Sequence, residues 1–130
     1  MTKTMFRNAG RLLILFAAML CFTSCEEDDE YIAETLIGEW RVVEIETYDY
    51  DCPYSYGDIF VFEPDGGFYT SRYEYGEWGI YDGILRIDFT GDGYPDVDAL
   101  VPQIDDGYVV LDVHDSYYET HYRLRLVRNW

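Results

Sequence analysis

The stretch DFTGDGYPDVDA, residues 88–99, resembles a calcium-binding loop in its spacing of oxygen-bearing side chains. Such loops take ligands mainly at positions 1, 3, 5, 9 and 12, with glycine at position 6. The matching residues here are Asp88, Thr90, Asp92, Gly93 and Asp96. Position 12 lacks its acid, because Ala99 stands there. Aspartate and glycine are also typical of turns. We therefore expect a plain turn, with calcium binding by Asp88, Asp92 and Asp96 as the alternative.

A second group of ionisable side chains lies near the end of the chain. The expected pairing of the last two strands places Asp112 opposite Glu119, with His114 and His121 on the two diagonals. Like charges directly opposite each other are unfavourable. Protonated histidines would relieve them, and so would a transition metal, which imidazole and carboxylate can bind. We expect a solvated face compensated in part by Arg123, with a metal site as the alternative.

Tyrosine and aspartate dominate YDYDCPYSYGD, residues 48–58. The aromatic candidates in this loop are Tyr48, Tyr50, Tyr54 and Tyr56. Aromatic rings stack on the apolar faces of sugars, carboxylates accept hydrogen bonds from hydroxyls, and tyrosine is common in adaptable binding surfaces. The segment predicts a site for a small molecule or a glycan. The alternative is that these are ordinary tyrosines in a chain that has 14 of them.

Catalytic motifs are missing from the sequence. There is no Gly-x-Ser-x-Gly, no phosphate-binding glycine loop and no His-Glu-x-x-His. Abundant carboxylates make chance pairs inevitable, so they do not indicate a glycosidase. Cys52 lies among tyrosines and aspartates, without the positive surroundings that activate a thiol. We expect a protein that is not an enzyme and has no cofactor.

These residues must be positioned by β-strands, because short runs rich in Val, Ile, Phe, Tyr and Trp alternate with Gly, Asp and Pro. We predict eight strands, over residues 37–47, 58–63, 67–74, 76–81, 84–89, 96–102, 107–114 and 117–127. Short connections favour a meander of neighbouring antiparallel strands. Eight such strands can close into an up-and-down barrel, so the predicted fold class is all-β.

The last hairpin tests this interpretation. A two-residue turn at 115–116 would pair 113 with 118, 111 with 120 and 109 with 122. Both strands would then direct their apolar residues to the same side, as the register of a half-buried hairpin requires.

The opening LIGEWRVVEI, with its Gly-x-Trp, and the later segments VFEPDGGFYT, GEWGIYDGILRIDF and GYVVLDV resemble the small lipocalin-like domains of bacterial lipoproteins. The resemblance covers residues 36–127 and rests on strand and turn patterns. It implies a barrel whose closed end is filled by Trp40, and a first loop that arches over the open end. It implies no substrate.

About 95 residues leave little room for a deep cup, so we expect a mostly filled interior, with an apolar cavity as the alternative. The residues expected to point inward are Trp40, Phe62, Phe68, Trp78, Ile80, Leu85, Ile87, Phe89, Val109, Leu111, Val113, Leu124 and Leu126.

Residues 1–24 are typical of an export signal, with three basic residues followed by the apolar run LLILFAAML. That run is shorter than a membrane-spanning helix requires. Thr23-Ser24 before Cys25 resembles a bacterial lipobox, which implies lipid attachment at Cys25. The alternative Cys21 follows the bulky Leu20, and ordinary secretion with cleavage elsewhere is a further alternative. Residues 25–35 are assigned to the lipidated Cys25 and an acidic tether, in which the run EEDDE is expected to stay solvated and extended. Residues 36–130 are assigned to the barrel domain.

Six arginines and 26 acidic residues follow residue 25, a net charge of −20. Such a domain repels nucleic acid and anionic lipid, so membrane attachment must come from acyl chains on Cys25. The acidic run also resembles the signal that sends lipoproteins to the cell exterior; a tether on either leaflet is the alternative.

The sequence predicts an outer-membrane lipoprotein, exposed at the cell surface, that binds a small apolar molecule or a glycan at the barrel mouth. The alternative is an accessory subunit that docks on a larger envelope protein complex. Ile59 and Val61 alternate with Phe60 and Phe62, so strand two is apolar on both faces, which supports that second prediction.

Overall fold

The computed structural model describes residues 28–48 and 51–129, and its architecture is a closed β-barrel. One short helix, α1 (28–36), precedes the strands. The strands are β1 (Gly38–Thr47), β2 (Ile59–Phe62), β3 (Gly67–Thr70), β4 (Tyr75–Tyr81), β5 (Ile84–Asp88), β6 (Val97–Ile104), β7 (Tyr108–Asp115) and β8 (Thr120–Arg128). Each strand pairs antiparallel with the next, and β8 pairs with β1. The predicted eight-stranded up-and-down barrel is confirmed.

The barrel wall separates an apolar interior from a polar exterior because inward and outward residues alternate along each strand. Ten of the thirteen residues predicted to point inward are buried. The other three, Trp78, Ile80 and Phe89, are half-buried and pack against that core. The core also contains residues that the prediction omitted: Leu36, Val42, Tyr54, Phe60, Val97, Ala99 and Tyr122.

The predicted register of the last hairpin is wrong by four residues. Val113 pairs with Tyr122 and Leu111 with Leu124, and the loop covers residues 116–119. The longer loop forms because the Asp115 carboxylate accepts a hydrogen bond from the amide of Tyr118 at 2.9 Å. The shift is an even number of residues, so the paired side chains of β7 and β8 keep the faces that were predicted for them.

The two ends of the barrel differ in their connections. Loops 48–58, 71–74, 89–96 and 116–119 follow odd-numbered strands and lie at one end, here called the rim end. Turns 63–66, 82–83 and 105–107 lie at the opposite end, here called the helix end because α1 packs there. The up-and-down order of the strands therefore brings these four loops together at one end. The candidate binding residues of the first loop lie at this rim end.

The helix end is closed by Trp40, whose side chain is fully buried. Its indole N–H donates to the carbonyl of Leu36 at 2.8 Å, and the guanidinium of Arg128 lies 4.0 Å from its ring. Arg128 in turn donates to the carbonyls of Thr35 and Ile37. The junction between α1 and β1 is therefore fixed to the barrel.

The end of the acidic run EEDDE is not extended as expected, because residues 28–30 form the start of α1. The carboxylate of Asp29 accepts hydrogen bonds from the amides of Asp82 and Gly83, at 3.1 and 2.7 Å. Both residues have positive φ, as the two-residue β4–β5 turn requires. Ile32 and Leu36 pack on the core. Acidic charge alone predicts an extended chain, but these apolar positions and the turn amides give the helix a surface to bind.

Candidate functional site

Tyr54 closes the rim end from within. Its side chain is 5% exposed, and its ring meets that of Phe60 edge-on at 4.8 Å. Its hydroxyl donates to Glu74 at 2.9 Å. Burial, followed by the nearby Glu74 carboxylate, raises the pKa of Tyr54 far above its usual range. Tyr54 is thus part of the core and is not free to stack on a ligand.

Two carboxylates organise the polar layer around Tyr54. Glu74 also accepts hydrogen bonds from the hydroxyls of Thr70 and Tyr118. Asp115, which is buried, accepts from the hydroxyl of Tyr122 at 2.7 Å, and burial raises the pKa of this carboxyl group. Buried polar groups are stable when they are hydrogen-bonded, so this layer fastens three loops over the interior.

The interior beneath Tyr54 is packed. The cavity that Tyr54, Phe68, Leu111 and Tyr122 help to line has a volume of about 10 Å³. That is room for about one water molecule, whereas pockets for small ligands occupy roughly 300–1,000 Å³. The filled interior expected from the sequence is found, and no ligand-sized space opens into this part of the barrel.

Exposed tyrosines surround the closed mouth. Every loop at the rim end carries at least one, and we call the set the tyrosine rim: Tyr48, Tyr56, Tyr73, Tyr94, Tyr117 and Tyr118. The turns at the helix end contain no tyrosine. Tyr117 and Tyr118 meet edge-on at 5.0 Å, and Tyr117 also contacts Phe89 at 5.3 Å. The rim therefore presents aromatic rings that are anchored on the core at several points.

Tyr73 is held in an unusual backbone conformation. Its φ is +64°, in the left-handed region that bulky residues avoid, and its side chain is 84% exposed. Left-handed backbone costs a non-glycine residue roughly 1–2 kcal/mol. Such strain concentrates at functional sites. The exposed ring has no burial to offset this cost, and the N–H of Tyr73 donates to the carbonyl of Thr70 at 3.1 Å, as in a tight turn.

A groove on the outer wall begins at Tyr56 and has a volume of about 830 Å³. Its lining comes from β1, β6, β7, β8 and the first loop: Glu44, Ile45, Glu46, Tyr56, Pro102, Gln103, Tyr108, Val110, Arg123 and Arg125. Register irregularities interrupt β1 between Val42 and Glu44, and β6 between Leu100 and Gln103. Bulges of this kind redirect side chains, and both irregularities lie beside this outer-wall groove.

The histidine cluster differs from its prediction because of the register shift. Asp112 pairs with Arg123 rather than Glu119, and His114 lies directly opposite His121. The two imidazoles stack at 4.1 Å, and His121 Nε2 lies 2.9 Å from Asp112. Burial opposes ionisation of Asp112, but the hydrogen bonds from His121 and Arg123 outweigh it and lower the pKa of the carboxyl group. The like-charge pair that suggested a metal does not form.

The 89–96 loop uses its aspartates as turn residues. Asp88 accepts hydrogen bonds from the amides of Thr90, Gly91 and Gly93, and Asp96 accepts from Phe89 and Thr90. Burial alone would raise the pKa of Asp88, but these amides outweigh it and lower the value. Asp92 accepts from Tyr94. In the described part of the chain, no group of three or more His, Cys, Asp or Glu side chains is arranged to hold a metal ion.

The cysteine of the first loop is a free, half-buried thiol. Cys52 Sγ accepts a hydrogen bond from the amide of Tyr54 at 3.4 Å. Burial raises the pKa of this thiol, which makes it less reactive. Cys52 thus helps to place Tyr54 over the core.

The structure divides the predicted binding residues among different environments. Tyr48 and Tyr56 are exposed, Tyr54 is buried, and Tyr50 lies outside the described residues, as does Cys25. The sequence prediction omitted four rim residues: Tyr73, Tyr94, Tyr117 and Tyr118. The sequence could have predicted them, because the meander already placed every loop that follows an odd-numbered strand at one end. These four tyrosines lie in such loops.

The fold and the site together define a small up-and-down β-barrel protein with a packed interior and exposed tyrosines around one end. No protein-family model and no curated protein sequence matches this chain. Over residues 28–48 and 51–129, no helix combines the length and hydropathy needed to cross a bilayer.

Proposed function

We propose that this protein is an outer-membrane lipoprotein, displayed at the cell surface, whose barrel binds a glycan non-covalently at the tyrosine rim. The observation that supports this most is the gathering of exposed tyrosines at the end opposite to α1. The lipid on Cys25 would lie only four residues before Asp29, which is fixed to the helix end. Four residues span at most ~14 Å, so the rim would face away from the membrane.

The chemistry of the rim favours sugars. Aromatic rings stack on the C–H faces of sugars, and carboxylates such as Asp51, Asp92 and Glu119 accept hydrogen bonds from hydroxyls. Because the small cavity lies beneath Tyr54, the ligand lies across the rim and not inside the barrel. An extended glycan suits such a surface better than a small apolar molecule does.

Binding without catalysis is the activity we propose. The two carboxylates of the polar layer, Glu74 and Asp115, are occupied by hydrogen bonds to tyrosine hydroxyls. The strongly acidic charge of the domain disfavours nucleic acid as a partner.

The rim is tested with Tyr73→Asn and Tyr94→Ala. Asparagine tolerates left-handed backbone, so Tyr73→Asn should keep or raise the melting temperature while binding weakens about tenfold. The matched control is Tyr75→Ala, which removes an exposed ring from the outer wall of β4. The measurement is titration with neutral oligosaccharides that are first selected on a glycan array. Equal affinities for wild type and both rim variants would refute the site.

The anchor and the location are tested separately. Labelling with radioactive palmitate should mark the wild type and not Cys25→Ala, whereas Cys21→Ala should be labelled as the wild type is. Protease added to intact cells should degrade the barrel if it is exposed at the surface. Survival of the domain in intact cells, with degradation after lysis, would contradict surface display.

A second candidate function, docking on an envelope protein complex, is favoured by the outer wall of β2–β4. Ile59 and Val61 are only half-buried there, and the rings of Tyr69 and Tyr75 lie 6.2 Å apart. Tyr75 is 67% exposed. A stoichiometric protein that co-purifies with wild type and is lost in Tyr75→Ala would favour this function over glycan binding.

A further inference from the structure

The outer-wall groove carries charges of both signs in equal number. Glu44 and Glu46 project from β1 and face Arg125 and Arg123 of β8 across the strand pair. The domain as a whole is strongly acidic, whereas this lining has two acidic and two basic side chains. A balanced groove neither attracts nor repels an ion strongly. The charges here indicate hydrogen bonding and not attraction of a charged ligand.

The arginines of the groove keep unused donors. Arg125 Nη1 lies 3.5 Å from Glu44, and Arg123 Nη2 lies 3.5 Å from Asp112, which are long distances for ion pairs. The Nε of Arg123 is buried and has no hydrogen-bond partner among the described residues. Each guanidinium has five N–H donors; a ligand cannot reach the buried Nε of Arg123, but both side chains are partly exposed, which leaves terminal Nη donors available to it.

Aromatic and amide groups complete the lining. The guanidinium of Arg125 lies 4.9 Å from the centre of the Tyr108 ring, which fixes both side chains. Tyr56 stands at the edge that the groove shares with the rim, and Gln103 offers both a donor and an acceptor. The volume of about 830 Å³ falls within the usual range for ligand sites.

From this lining we infer a second binding site, in the outer-wall groove, for an uncharged and hydroxyl-rich ligand, namely a segment of a neutral oligosaccharide. A sugar hydroxyl both donates and accepts, so it pairs with carboxylate and guanidinium groups that alternate across the wall. The rings of Tyr56 and Tyr108 supply apolar surface. The site shares Tyr56 with the tyrosine rim, but its polar lining on β1, β6, β7 and β8 does not depend on the other rim residues.

The test resolves the two sites by NMR. The full chain, purified as the cell processes it and labelled with ¹⁵N, is titrated with maltohexaose, cellohexaose and mannohexaose. Binding in the groove shifts the backbone amides of Gln103, Tyr108 and Arg125. Binding at the rim shifts those of Tyr73, Tyr94 and Tyr117. Shifts of the groove amides without shifts of the rim amides support the inference and contradict the proposed function. Shifts of the rim amides alone support the proposed function and contradict the inference.

Variants make the assignment specific. Arg125→Ala should weaken groove binding about tenfold, and Arg125→Lys should restore little of it, because lysine lacks the planar set of donors. Arg41→Ala, which removes an exposed arginine from the outer wall of β1, is the matched control. Unchanged affinity in Arg125→Ala, or no groove shifts with any of the three sugars, would overturn the inference.

Discussion

The hydroxyl of Tyr54 donates a hydrogen bond to Glu74 at 2.9 Å, and this contact joins the first loop to the β3–β4 loop across the end of the barrel. The same carboxylate accepts from Tyr118 of the β7–β8 loop. Three of the four loops at the rim end therefore share one acceptor. A loop that the sequence predicts to be a binding surface also closes the core.

Replacing Tyr54 separates its packing from its hydrogen bond. Tyr54→Ala should lower the free energy of unfolding by about 3–5 kcal/mol, because a buried ring is lost. Tyr54→Phe should lower it by about 1 kcal/mol, because only the hydrogen bond to Glu74 is lost. Urea denaturation measures both changes. The control is Tyr94→Ala at an exposed position, which should change the free energy of unfolding by close to zero. Wild-type stability in Tyr54→Ala would show that the ring does not close the core.

Stability should fall at alkaline pH because three tyrosines have raised pKa values. Burial raises the pKa of Tyr54 and Tyr122, and the hydrogen bond to Glu74 raises that of Tyr118. The stability from holding these protons is complete below the ordinary tyrosine pKa of about 10. It is lost as pH rises toward the folded-state values. Denaturation midpoints followed above about pH 10 should decline, and less steeply in Tyr122→Phe; a flat profile would contradict the raised values.

Asp112 should contribute stability that acid removes. Its folded-state pKa is lowered, so the contribution is present above the unfolded pKa of about 3.9 and is lost as pH falls through the folded value. Asp112→Asn should cost about 1 kcal/mol or less at neutral pH, since its partners His121 and Arg123 are partly exposed. The variant should also lose less on acidification than wild type. Parallel acid titration curves for the two proteins would refute this role.

Asp29 should fasten α1 to the barrel. Asp29→Ala should cost about 1 kcal/mol and should speed hydrogen exchange at the amides of Asp82 and Gly83, which lose their acceptor. The neighbouring Asp28→Ala, at an exposed position of the same helix, is the control and should leave both exchange rates unchanged. Equal exchange in all three proteins would mean that the helix is held by Ile32 and Leu36 alone.

The strand order and the inner faces were predictable because alternation of apolar and polar residues is a local property. The register of the last hairpin was not, because it depends on the Asp115 carboxylate binding the amide of Tyr118. A two-residue and a four-residue loop bury the same residues, so the alternation of apolar positions along β7 and β8 cannot distinguish them. Turn chemistry, and not hydrophobicity, decides the pairing of Val113 with Tyr122.

The candidate site was predictable only in part. Tyr48 and Tyr56 are exposed as expected, but Tyr54 turns inward because Phe60 and Glu74 offer it an apolar contact and an acceptor. Those partners lie in other strands and loops, so the sequence of the first loop contains no sign of them. The outer-wall groove depends on strands that are distant in sequence, β1 and β8 above all.

Closure of the barrel has a further consequence for a protein crowded among neighbours. Among the described strands each one pairs with a neighbour on both sides, so no strand forms a free edge of the sheet. Contacts between copies of the described barrel are therefore expected to form through side chains and loops, and not by strand pairing. Self-association would then be adjustable by single surface substitutions, without any change to the hydrogen-bonded framework.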